Sequence, residues 1–146
     1  MPDLYIAPPE QTKWLTLSSF FFTLPAIYGF MNQLHSHSVL LALTSLISAN
    51  YWRKATYSWR RNMDLVFSKI AFGVFFYEKI VHVRAVPHLV AGGSGLVLLT
   101  YCYYFSGKYF DEKKDVWYKY YFAFHTLLTF EQFLVLYTMA EHRRLK

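Results

Sequence analysis

Asp64, Ser68, Ala71, Phe75, Glu78 and His82 are spaced 4, 3, 4, 3 and 4 residues apart, which puts them on one face of a helix. Two carboxylates, a hydroxyl and an imidazole in one row could relay a proton or line a substrate path. The same groups could instead satisfy one another and fix helix register. Glu78 and His82 stand at i, i+4 and can pair. Arg60 and Arg61 precede Asp64 by four and three residues and can neutralise it if the helix begins early. A second polar face, His125, Thr129 and Gln132, follows at i, i+4 and i+7. Glu131 points elsewhere from mid-segment and needs a partner or a proton; Lys69, His35 and His37 are the candidates. Thr44, Ser45, Ser48 and Tyr51 form hydroxyl rows suited to hydrogen bonds between helices.

Other reactive groupings are sparse. His35 and His37 could share a metal, but two histidines in a turn are ordinarily just polar. The chain has no HExxH, CxxC or GxSxG, and Gly92-Gly93-Ser94-Gly95 lacks the Gly-Lys-Ser/Thr of a phosphate loop. Ala91, Gly92 and Gly95 make a small-xxx-small surface for close packing of another helix, in this chain or in a partner. Cys102 is the single cysteine, so no internal disulfide forms, and it reads as a small packed side chain. These residues imply no metal and no cofactor.

Ser48 followed by Tyr51 and Trp52, then Met63-Asp64 and Ser68, resembles the second and third helices of the CREST membrane hydrolases, the superfamily of alkaline ceramidases and progestin/adiponectin receptors. Tyr121-Phe-Ala-Phe-His125 resembles that family's last helix, where two histidines stand four apart. The resemblance implies a seven-helix zinc hydrolase acting on a lipid amide or ester, with Ser48, Asp64 and His125 as its site. Tyr51 and Tyr121 occupy two of the three zinc-ligand positions, and catalytic zinc ordinarily takes three protein ligands. The pattern therefore implies lost activity along with shared ancestry.

Such groups need elements that hold them in place, and the charge pattern indicates which. The 39 residues from Trp14 to Trp52 contain no Asp, Glu, Lys or Arg. A bilayer core takes roughly 20 helical residues, so this stretch suits two crossings, with the polar run Asn32–His37 at the turn. A second charge-free stretch of 23 residues covers 85–107. The chain reads as an all-α, polytopic transmembrane bundle of about five helices, with spans near 14–31, 38–52, 64–83, 85–107 and 117–139. Residues 1–13 form an N-terminal arm held extended by Pro8 and Pro9, and 140–146 a basic C-terminal tail. Pro25 is expected to kink the first span. No cleavable leader is evident, so that span would serve as its own insertion signal. The only long polar connection is Lys108–Asp115.

At 146 residues there is room for one domain, and 55% hydrophobic residues exclude a disordered chain. Thirteen tyrosines and four tryptophans suit membrane–water interfaces. The net charge of +6 arises from basic residues flanking apolar runs, which fits anionic lipid headgroups and not nucleic acid. Five spans place nine basic residues beside the N-terminal side (Lys13, Arg53, Lys54, Arg60, Arg61, Lys108, Lys113, Lys114, Lys119) and five beside the other (Lys79, Arg84, Arg143, Arg144, Lys146). That bias favours a cytoplasmic N-terminus or its equivalent. The expected function is non-enzymatic: a multi-pass structural or assembly subunit, in contact with the lipid bilayer and with other membrane or membrane-associated subunits. A small proton-coupled transporter using the Asp64–Glu78–His82 row is a further alternative.

Overall fold

The computed structural model describes residues 5–145. Five helices follow one another: α1 Pro9–Met31, α2 His35–Trp52, α3 Trp59–His82, α4 Val86–Asp111 and α5 Trp117–Arg144. Among the described residues there is no strand beyond an isolated bridge between Tyr5 and Thr56.

Most helices run past the apolar stretches that announce them, for local reasons. Pro9 opens α1 instead of opposing it, because a first-turn N–H would have no partner and the ring presets φ. Of the described arm only Tyr5–Pro8 stays outside the helix, and Ile6 N–H donates to Ala55 O at 2.9 Å. Pro25 cannot return an N–H to the preceding turn, and that turn tightens into a 3-10 segment at Phe20–Phe22.

The α1–α2 turn is only Asn32–Leu34, so His35 and His37 belong to α2. Gln33 takes a left-handed φ of 61°, which lets Leu34 N–H reach Gly29 O (2.8 Å) and Gln33 N–H reach Phe30 O (3.1 Å). The same cap ends α4. Lys113 has φ 57°, Lys114 N–H donates to Tyr109 O (2.9 Å) and Lys113 N–H to Phe110 O (3.0 Å). Lys108–Asp111 is thus helical, not part of a loop. In the short loop that remains, the Lys114 ammonium donates to Glu112 at 2.9 Å; it holds that carboxyl below its ordinary range and is itself raised. α3 begins five residues before Asp64, and α5 carries the expected tail in helix as far as Arg144.

One end of the bundle gathers the arm, the α2–α3 connection and the α4–α5 loop. Trp117 Nε1 donates to Gln11 Oε1 (2.7 Å), Gln11 Nε2 donates to Asp115 Oδ1 (3.3 Å), and Ala7, Leu15, Tyr51, Trp52, Ala55 and Trp117 pack together. At the other end Arg143 donates to Gln33 O (2.7 Å) and Arg144 to Asn32 Oδ1 (3.0 Å). Arg60 and Lys113 therefore lie at the end opposite Arg143.

Polar side chains are buried among the apolar core, and many large apolar ones are exposed. Ser18, Ser19, Ser45, Ser48, Asp64, His125, Thr129, Glu131 and Gln132 are buried. Leu17, Phe20, Leu24 and Ile27 on α1, and Val39, Leu43 and Leu46 on α2, follow helical spacing along exposed faces. Rows of exposed large apolar side chains are the kind of surface that lipid or another chain covers. α1 and α4 are each long and apolar enough to cross a membrane. α4 packs on α5, while α3 packs on α2 and α5 and its backbone stays apart from that of α4.

Candidate functional site

The gap between α3 and α4 is a cleft of about 400 Å³, within the range of small-molecule sites. α5 forms its floor with Tyr121, His125, Leu128, Glu131, Gln132 and Val135, successive turns of one face. Phe22 of α1 with Thr44 and Ser48 of α2 closes the back. α3 contributes Asp64, Ser68, Lys69, Ala71, Phe75 and Lys79, and α4 contributes Leu96, Leu99, Thr100 and Tyr103.

Nearest the arm, the cleft collects the residues of the Ser48–Asp64–His125 pattern. Ser48, Asp64, Ser68, Tyr121 and His125 all line it. The Ser48 and Ser68 hydroxyls flank the Asp64 carboxyl, and Tyr51 and Tyr121 lie close to the same carboxyl. The Tyr121 ring meets that of His125 edge-on at 4.9 Å. Although α3 starts early, Asp64 has no ion pair with Arg60 or Arg61, and its Oδ1 is buried without a hydrogen-bond partner.

Ser48 and His125 are not joined as nucleophile and base. Ser48 Oγ stands 2.8 Å from Ser19 Oγ, and His125 Nδ1 stands 2.7 Å from Ser18 Oγ. Ser18 and Ser19 also donate to Leu15 O (3.1 and 2.7 Å), and Ser45 donates to Ser19 O (2.8 Å). These bonds stitch α1 to α2 and α5. Activation of a serine hydroxyl needs a base within hydrogen-bond reach, and here the imidazole serves another residue. Ser18 and Ser19 escaped the sequence reading because two serines in an apolar helix carry no spacing signal of their own.

Farther along the cleft, Glu131 is buried and paired, but with Lys79 at 2.5 Å, not with Lys69, His35 or His37. The Lys79 ammonium donates as well to Gly92 O at 2.7 Å. Lys79 sits on the inner face of α3, one residue after Glu78 and four after Phe75 of the row. Its position near the end of the span made it look like a flanking charge; its long stem reaches back inside. Glu131 lies against Gly95, where any Cβ would collide with its carboxylate, and a Cβ on Gly92 would come within 3.0 Å of Lys79 Cε. The small-residue surface therefore packs within this chain, through Gly92, Gly95 and then Leu99, with Ala91 only half-buried.

The rest of the polar row forms a separate cluster at the Arg143 end. Glu78 is held by His82 (2.9 Å) and by His37 of α2 (3.2 Å), and the His82 ring contacts that of His142. Ser68 is exposed at the cleft's edge. In the second polar face, Thr129 donates back to His125 O (2.9 Å), and Gln132 Oε1 is buried with no partner. Among the described residues no group of three or more His, Cys, Asp or Glu side chains could hold a metal. Compared with known proteins, the chain matches no family model, no curated protein and no solved structure.

Proposed function

We propose that this chain is a non-enzymatic multi-pass membrane protein, its five helices crossing the bilayer and serving as a structural or assembly subunit of a membrane-associated complex. The observation that carries the reading is the inverted distribution of side chains. Apolar rows such as Leu17, Phe20, Leu24 and Ile27 face outward, while Ser, Thr, His, Gln and Glu side chains are buried beside Leu15, Leu41, Val135 and Leu136. A bilayer reverses the usual preference: outward leucines cost nothing in lipid, and interior polar groups find partners between helices. α2 is the shortest helix, 18 residues and so about 27 Å, close to a hydrocarbon core of about 30 Å. Tyr5, Trp14, Tyr57 and Trp59 are exposed at the basic end, where interfacial aromatic rings are favoured.

Alkaline-carbonate extraction, followed by thiol labelling of Arg60→Cys, Lys113→Cys and Arg143→Cys in a Cys102→Ser background, tests the topology. Positions 60 and 113 should label from one side and position 143 from the other. Labelling of 113 and 143 from the same side would refute five crossings. Mass measurement of the detergent-solubilised native protein tests the subunit role, with a stable assembly larger than one chain as the expected result.

The convergence of Ser48, Asp64, Ser68, Tyr121 and His125 on one cleft favours a second reading, a CREST-type hydrolase or its inactive descendant. A phenol is a poor zinc ligand near neutrality because its ordinary pKa is near 10. Tyr51→His/Tyr121→His should then raise zinc content toward one per chain if the resemblance is structural. Zinc in the native protein, lost in His125→Ala, would promote the hydrolase over the subunit.

A further inference from the structure

The Glu131 end of the cleft is two helical turns, about 10 Å, from His125 along α5, and it has its own hydrogen-bonding deficit. Gln132 is 6% exposed, lines the cleft, and its Oε1 has no hydrogen-bond partner. Lys79 carries three donors; Gly92 O and Glu131 Oε2 take two of them. Glu131 Oε1 has no hydrogen-bond partner either, but it fills the space that a Cβ on Gly95 would take. Gln132 Oε1, a buried acceptor, and a spare ammonium proton of Lys79 line the same hollow. Around them the walls are apolar: Phe75, Phe76, Leu96, Leu99, Leu128 and Val135. An unsatisfied buried polar group costs about 1–3 kcal/mol, so such a place favours whatever completes it.

The group that completes it must donate to Gln132 and accept from Lys79 within one small polar unit. An ammonium head only donates and would face the Lys79 cation. A carboxylate head only accepts and would crowd Glu131. A hydroxyl does both and carries no charge into an apolar setting. The cleft is far larger than one water, and apolar side chains of α3 and α4 line its two walls, with room between them for an alkyl body.

We propose that the cleft binds a membrane-dissolved alcohol, its hydroxyl between Lys79 and Gln132 and its apolar body between α3 and α4. This inference rests on the membrane reading, and carbonate extraction tests that reading separately.

The probes are 1-tetradecanol, tetradecane and tetradecylamine, added to the detergent-purified full chain while the thermal unfolding midpoint is followed. Tetradecanol should raise the midpoint saturably, and the alkane and amine should not. Gln132→Leu keeps the volume and removes the acceptor, so it should weaken the alcohol's apparent affinity about tenfold. Thr126→Ala, on the exposed side of α5 and outside the cleft, should leave it unchanged. Because Gln132→Leu could impair folding, the native chain is also labelled with a diazirine-bearing long-chain alcohol. Label should map to α4 and α5 around Leu99 and Leu128 and be competed by tetradecanol but not by tetradecane. Equal protection by alkane or amine, unchanged affinity in Gln132→Leu, or label spread over the outer faces of α1 and α2 would overturn the proposal.

Discussion

Lys79 and Glu131 hold α3 to the α4–α5 pair, and breaking them one at a time should cost far more than removing both. Their side chains are 14% and 9% exposed and stand 2.5 Å apart. At an effective dielectric near 20 the attraction is about 6–7 kcal/mol. Desolvation costs several kcal/mol per ion, so the pair's net contribution is close to nil. Lys79→Met leaves the Glu131 carboxylate buried against Gly95 with no cation, and the expected loss is about 3–5 kcal/mol. For a chain of this length that corresponds to a midpoint on the order of 10 °C lower. Glu131→Leu should cost less, because Lys79 keeps Gly92 O and its stem is long enough to turn outward. Lys79→Met/Glu131→Leu should lose no more than about 1–2 kcal/mol. The assay is a double-mutant cycle on thermal unfolding in one detergent. The cycle should return a coupling of at least about 2 kcal/mol. Additive losses, or a double variant worse than either single one, would refute the pairing and its role as the α3 anchor.

Gly95→Ala should disrupt the same anchor by steric means, since the added Cβ meets the Glu131 carboxylate; the expected loss is about 2–4 kcal/mol by the same assay, largely relieved in a Glu131→Leu background. Gln33→Gly and Lys113→Gly, each at a left-handed φ near 60°, should each raise stability by up to about 1 kcal/mol, whereas Ile47→Gly, at a half-buried α2 position, should lower it by more than that because it loses side-chain packing as well as helix propensity. Leu46→Lys separates lipid from water as the surroundings of the outer faces. Leu46 is 59% exposed on α2, so the change would be neutral in water but should cost about 2–3 kcal/mol of membrane insertion, read as lower membrane-fraction yield.

Much of the architecture was written in local patterns. Five helices, a turn within Asn32–His37 and the inward facing of Asp64, Glu78 and His82, though not of Ser68 in the same row, follow from apolar run length and helical period, which the chain carries residue by residue. The inward facing of His125, Thr129 and Gln132 was legible for the same reason. Helix ends were less so. Pro9 and Lys108–Asp111 have turn-like composition, yet they are helical because an N1 proline and a left-handed Lys113 satisfy the ends without a break.

Partner choice was decided only by the tertiary structure. Glu131 meets Lys79, Glu78 takes His37, and His125 bonds Ser18, pairs separated by 52, 41 and 107 residues. Nothing in helical spacing relates one helix's rotation and depth to another's. The close approach of α4 to α5 through Gly92 and Gly95, and the gap left between α3 and α4, set both at once. The amino-acid sequence alone determined which faces share one side of a helix, because helical period sorts polar from apolar residues, and in the membrane reading the polar ones turn inward to find partners that lipid does not offer. Which groups then met, and the hollow they left between α3 and α4, depended on how five helices packed together, because only packing fixes distances between residues far apart in the chain.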